Sequence, residues 1–145
     1  MKSVVIYDSN YGNTQKVAEA IADELGAKAT NISSIKSSEL TNLDLLIVGT
    51  PIIGWKPTAN IQEFLSKLES GQLNGVKATT FDTRVKLFIH GDAMGKVADS
   101  LKNAGAKIFV NPTPFYIEGA TACPHLLNGE LEKAKKWARD IKTKL

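Results

Sequence analysis

Short aliphatic runs alternate with longer stretches whose apolar residues recur at helical spacing, and this alternation narrows the possible folds more than any other feature of the chain. Ser3-Val4-Val5-Ile6-Tyr7 is unbroken and β-branched, and Leu45-Leu46-Ile47-Val48 lies inside a second such run from Leu43 to Gly49. Runs apolar at every position, not at every second one, suit strands covered on both faces. Val17, Ala18, Ile21 and Leu25 stripe a helix that Gly26 stops. Ile61, Phe64, Leu65 and Leu68 stripe another, with Thr58 as its N-cap. Val97, Ala98, Leu101 and Ala104 follow, closed by Gly105, and Leu131, Ala134, Ala138, Ile141 and Leu145 stripe a terminal helix. Further strands are expected at 28–32, 76–81 and 107–110, with irregular chain at 33–42 and 82–92. This βαβ pattern predicts an α/β fold: a doubly wound, five-stranded parallel sheet with helices on both faces. Its 145 residues make one domain at roughly 150 residues per domain.

Several function classes drop out. Cys123 is alone, so neither an intramolecular disulfide nor a cysteine metal cluster can form. His90 and His125 have no ligand-like spacing. The longest aliphatic run is far short of the roughly 18 residues of a membrane span. The first apolar stretch ends at Asp8, too early for a secretory segment, so a cytoplasmic location is expected. The net charge is +3. Residues 1–129 are balanced, and the excess comes from Lys133, Lys135, Lys136, Arg139, Lys142 and Lys144 in the last helix. Cations at a helix C-terminus are favoured by its dipole, so neither a nucleic acid nor a membrane is expected as partner. Trp137 beside the Ala134/Ala138 stripe is expected to pack partly into the core. Cys123 and His125, separated by Pro124, lack a third partner and are expected to be unreactive.

In doubly wound sheets ligands bind at the carboxyl ends of the strands. The loop after the first strand, Ser9-Asn10-Tyr11-Gly12-Asn13-Thr14, carries small hydroxyl and amide side chains and a glycine that lets backbone N–H groups converge. It leads into the positive end of a helix. A phosphate monoester suits it, although a capped helix start without a ligand fits the same residues. The string is not a P-loop, and neither is Gly91-Asp92-Ala93-Met94-Gly95-Lys96-Val97, whose glycines are one residue too close.

Val5-Ile6-Tyr7-Asp8-Ser9-Asn10-Tyr11-Gly12-Asn13-Thr14-Gln15-Lys16-Val17-Ala18-Glu19-Ala20-Ile21 resembles the N-terminal signature of the flavodoxin family. Weaker agreements are Gly49-Thr50-Pro51, Phe81 at the end of the fourth strand, and Gly129-Glu130-Leu131. The resemblance implies bound FMN, strand order 2-1-3-4-5 and one-electron transfer between redox protein partners, with a monomer expected. It implies that Ser9 to Thr14 hold the phosphate. Thr50, Pro51, Ile52, Ile53, Gly54 and Trp55 would form the first flavin-ring loop, with Trp55 stacked on the ring and a peptide at Gly54 able to flip toward the flavin N5. Phe81, Asp82, Thr83 and Arg84 would open the second ring loop, with Phe88 as a candidate second aromatic. Asp82 either accepts from the flavin N3–H or pairs with Arg84. Arg84 near N1 would stabilise negative charge on the reduced ring.

Three features depart from the family. Tyr11 stands where many flavodoxins have Thr, Asp82 and Arg84 replace a Gly-rich string, and residues 1–129 are neutral where electron carriers are acidic. Two other functions therefore stay open: an FMN-dependent quinone or NAD(P)H oxidoreductase of the same fold, and a flavin-free scaffold.

Overall fold

The computed structural model describes residues 1–52, 55–85, 92–119 and 123–145. Among them, β1 (Ser3–Tyr7), β2 (Lys28–Asn31), β3 (Leu45–Pro51) and β4 (Lys77–Val85) lie parallel in the order β2-β1-β3-β4. The fifth position is filled by two segments, β5 (Lys107–Ile108) and β6 (Thr113–Glu118), both parallel to β4. A short strand β7 (His125–Leu126) then turns back antiparallel to β6. The expected order 2-1-3-4-5 is present, with the fifth strand broken and one antiparallel strand added.

The break has a local cause. Lys107 pairs with Lys77, but Thr113 pairs with Phe81, so the fifth strand carries extra residues between its halves. Thr79 Oγ1 donates to the Val110 carbonyl at 3.0 Å and Phe109 N donates to the Ala78 carbonyl at 3.3 Å, which pin the bulge to β4. Pro112 and Pro114 hid β6 in the sequence. Pro114 is tolerated because its carbonyl faces the outer edge, where Lys133 Nζ donates to it at 2.7 Å, so no ladder bond needs its missing N–H.

Helices α1 (Asn13–Leu25), α2 (Ala59–Ser66), α3 (Ala93–Asn103) and α4 (Glu130–Thr143) cover the sheet. Val5, Tyr7, Leu45, Ile47 and Phe81 pack with α1 and α4, whereas Val4, Ile6, Leu46, Val48 and Ala78 pack on the other face with α2 and α3 residues. The helix stops and starts follow the sequence reading. Gly26 caps α1 at φ 64°, and the Thr58 hydroxyl accepts from Ile61 N at 3.3 Å at the start of α2. In α4, Ala134, Ala138 and Ile141 are buried and Leu131 is exposed; Leu145, expected to extend the stripe, lies beyond the helix end and is exposed. Trp137 meets Phe81 and Phe115 edge-on at 6.3 and 5.9 Å. The segment read as irregular after β2 forms two single turns of 3-10 helix, at Ile32–Ser34 and Ser37–Leu40.

Tyr7 closes β1 beside its register partner Asn31. Burial pushes its phenol above the ordinary value of 10.0, the Glu19 carboxylate adds to the rise, and a hydrogen bond with Asn31 opposes it. A raised folded-state pKa favours the protonated phenol. The stability it contributes is therefore present below about pH 10 and is lost as pH rises through the folded value. Urea unfolding of the wild type and Tyr7→Phe at pH 8 and above pH 10 checks this. The wild type is expected to lose more stability than the variant on going to the higher pH.

Candidate functional site

Register places Tyr7, the last residue of β1, beside Gly49 and Gly49 beside Phe81, and from there β3 runs on to Pro51 and β4 to Val85.

The first loop folds around its own serine. Asp8 N donates to the Gly49 carbonyl at 3.2 Å. The Asp8 carboxylate accepts from Ser9 N at 2.9 Å and from Asn60 Nδ2 at 3.3 Å, so α2 braces the loop. Ser9 Oγ accepts from Gly12 N at 3.0 Å and from Gln15 N at 3.4 Å. Gly12 sits at φ 87°, a left-handed conformation that glycine adopts without strain, and nothing lies within 4 Å of the position a Cβ would take. The first turn of α1 has neither a side-chain cap nor an acidic residue. Backbone donors thus converge on an oxygen at the start of α1, which fits a phosphate group.

The side chains expected to surround that group divide in two. Asn10 and Tyr11 are exposed, with Tyr11 68% accessible. Asn13 and Thr14 are buried and tie the loop to the rest of the fold. Asn13 Nδ2 donates to the Pro124 carbonyl at 2.9 Å, and the Thr14 and Thr83 hydroxyls share a hydrogen bond of 2.9 Å. Loop 1 and the end of β4 are therefore joined through two threonines.

The loop after β3 begins later than its Gly/Pro content suggested, because the strand runs on through Thr50 and Pro51. Thr50 is buried; its hydroxyl accepts from Thr58 N at 3.2 Å and donates to the Pro51 carbonyl at 2.9 Å. Ile52 N donates to the Thr83 carbonyl at 3.3 Å. Ile53 and Gly54, and with them the expected peptide flip, lie outside the described residues. Trp55 has φ 72° and is 55% exposed. A large aromatic held in the left-handed region and left open to solvent marks a position shaped for something other than packing. Lys96 Nζ donates to its carbonyl at 3.2 Å, anchoring the loop to α3.

The stretch from Asp82 to Arg84 is not a loop. β4 continues to Val85, and Phe81, Asp82, Thr83 and Arg84 are all buried. Three polar residues in succession look like loop chemistry, but each is satisfied on its own face of the strand. Phe81 and Thr83 point toward α1 and α4: the Phe81 ring packs edge-on against Phe115 at 5.8 Å, and Thr83 meets Thr14. Asp82 and Arg84 point to the α3 side and form a two-pronged ion pair, with Arg84 Nε donating to Asp82 Oδ1 at 2.7 Å and Arg84 Nη2 to Oδ2. Met94 N donates to the same carboxylate at 3.1 Å, and Asp92 Oδ1 lies 3.7 Å from Arg84 Nη2. Burial pulls the guanidinium pKa down, but the Asp82 hydrogen bond and charge, with Asp92 and Tyr116, outweigh it and the net shift is upward. Of the two roles open to Asp82, pairing with Arg84 is the one the structure displays, and the pair is buried, not solvated. With two carboxylates beside it, Arg84 brings no uncompensated positive charge to this corner. The expected stabilisation of a reduced ring at N1 would have to come from a guanidinium already paired with Asp82. Phe88 and His90 lie outside the described residues.

Asn60, Pro124 and Lys96 brace the site across long sequence separations, and no local pattern in the sequence could have flagged them. Cys123 is exposed, and His125 Nδ1 lies 3.4 Å from the Cys123 carbonyl oxygen. Among the described residues no cluster of His, Cys, Asp and Glu could hold a metal, and no helix is long and apolar enough to cross a membrane.

The loop after β1, its backbone donors turned onto Ser9 Oγ, and the exposed Trp55 after β3 both follow central strands of a doubly wound sheet. The family profile described as Flavodoxin matches residues 5–137, and the chain belongs to that family. It is 29% identical over 150 residues to an uncharacterised protein of Methanocaldococcus jannaschii, covering 97% of this chain and 98% of that one. Its fold is shared with oxidised Flavodoxin 1 from Bacillus cereus (TM-score 0.84, 21% identity, 100% and 99% of the two chains). It is also shared with a flavodoxin from the domain Archaea (TM-score 0.79, 21% identity, 99% and 98%).

Removing one member of the Asp82–Arg84 pair leaves a buried charge without its partner. Arg84→Ala is expected to cost about 3–5 kcal/mol of stability. Asp82→Asn/Arg84→Met, which removes both charges, is expected to cost clearly less. Urea denaturation of the two variants measures the difference; equal losses would contradict the pairing.

Proposed function

We propose that this chain binds FMN and carries single electrons between redox proteins. The observation that supports this most is the convergence of Gly12 N and Gln15 N on one oxygen position at the start of α1, on the same edge of the sheet as exposed Trp55. Family membership supports flavin-linked electron transfer as the general role.

In this reading the FMN phosphate takes the place that Ser9 Oγ now holds among the loop N–H groups, and Ser9 turns to donate to it. Asn10 and the Tyr11 N–H lie at its rim. Thr14 and Thr83 fix the distance between the phosphate loop and the end of β4. Thr50, Pro51 and Ile52, with Ile53 and Gly54, position the Trp55 ring to cover one flat face of the flavin and exclude water from it. Phe81 to Arg84 act as a rigid wall, with Thr83 as the member whose hydroxyl is close to the phosphate loop. Bound FMN supplies the reversible one-electron chemistry, and the protein supplies binding, orientation and electrostatics. The general location in the cell follows the sequence expectation, a cytoplasmic monomer.

Titration of the purified chain with FMN tests the reading, followed by flavin absorbance and fluorescence quenching. Tight binding with quenched fluorescence is expected. Trp55→Gly separates function from stability. Relief of the left-handed backbone leaves stability unchanged or raises it by up to about 1 kcal/mol. Loss of the stacking face weakens FMN binding about tenfold. Failure to bind FMN at micromolar excess, or equal binding by the variant, would overturn it.

A further inference from the structure

The net positive charge of the chain sits on α4, where it was expected to be solvated. A second concentration of positive charge lies beside Trp55. A concave surface of about 390 Å³ opens between the loop after β3 and the facing sides of α2 and α3, lined by Lys56, Pro57, Gln62, Leu65, Lys96 and Ser100. Its two charged residues are both lysines, and both are exposed. Among the described residues Lys56 has no ion-pair partner, and the Lys96 ammonium donates to the neutral Trp55 carbonyl at 3.2 Å. The nearby acids are committed elsewhere or do not line the hollow. Asp92 caps α3 through Gly95 N at 3.0 Å and faces Arg84, and Glu63 pairs with Lys67 at 3.0 Å. Asp99 is exposed on α3 outside the lining.

We infer that this basic hollow is the docking surface for an acidic redox partner, whose carboxylates engage Lys56 and Lys96 while a short apolar contact forms over the half-buried Leu65. The inference rests on the electron-carrier reading and adds the chemical class of the partner. Charge complementarity of this kind steers encounter and sets its salt dependence more than it sets affinity. The position suits electron transfer, because the hollow adjoins the aromatic that would cover the flavin.

Two measurements test it. The first needs no flavin: amide NMR shifts are followed as hexaglutamate is added. Shifts centred on Lys56, Gln62, Lys96 and Ser100 are expected at low salt, weakened at high salt and absent in Lys56→Glu/Lys96→Glu. The second uses the FMN-loaded, reduced protein. Ferricyanide, an anionic oxidant, takes one electron from the reduced flavin and becomes ferrocyanide. Its rate is expected to fall with salt, while cationic hexaammineruthenium(III), which takes one electron to become the ruthenium(II) complex, shows the opposite trend. Lys56→Glu/Lys96→Glu is expected to reverse both trends. Lys136→Glu/Lys142→Glu, the same change in net charge on α4, is expected to leave them. If the two variants behave alike, or if hexaglutamate shifts resonances elsewhere, the docking surface is wrong. A protein that takes up no FMN instead removes the electron-carrier reading, and the absorbance before reduction reports that separately.

Discussion

Strand β3 has no polar side chain between Leu45 and Val48, and all four residues are fully buried. A strand of that kind must be covered on both faces, and a parallel sheet with crossover helices is the architecture that does so. It pairs with β1 on one side and β4 on the other, and the register sets Tyr7 beside Gly49 and Gly49 beside Phe81. Gly49 at the end of this strand sets the packing there. A Cβ at this position would overlap the Phe81 ring, so the glycine lets Phe81 lie over β3 and meet Phe115 and Trp137. One absent methyl thus holds the fourth strand, the broken fifth strand and α4 together behind the site.

The sequence showed the layers well because they depend on local patterns. The stripes of α1 to α4, the Thr58 cap and the Gly26 stop each rest on residues within a turn or two of one another. It showed less where stability comes from residues far apart or from satisfied polar groups. Asp82, Thr83 and Arg84 read as loop since nothing local says that Thr83 meets Thr14 on one face while Asp82 pairs with Arg84 on the other. Their spacing did contain a signal: positions 82 and 84 of a strand share a face, and an acid and a base there can neutralise each other. Pro114 masked β6 for a similar reason, because its outward-facing edge is visible only once Lys133 is in place.

The candidate site was legible to the same degree. The phosphate loop is a contiguous string, and its glycine, hydroxyls and following helix all lie in one stretch of chain. The division of that loop into exposed and buried halves was not legible, because Asn13 reaches Pro124 and Thr14 reaches Thr83 across most of the sequence. The excess on α4 is where the arithmetic places it, but the lysines that adjoin the site, Lys56 and Lys96, belong to a segment whose net charge is zero.

The central claim is that backbone donors at the start of α1 form the anchor for a flavin phosphate. Comparing FMN with riboflavin, which lacks the phosphate, tests it most directly. The account predicts that FMN binds at least a hundredfold more tightly, a difference of about 2.7 kcal/mol or more, with the amide resonances of Gly12 and Gln15 shifting only for FMN. Equal affinities for the two flavins would contradict it.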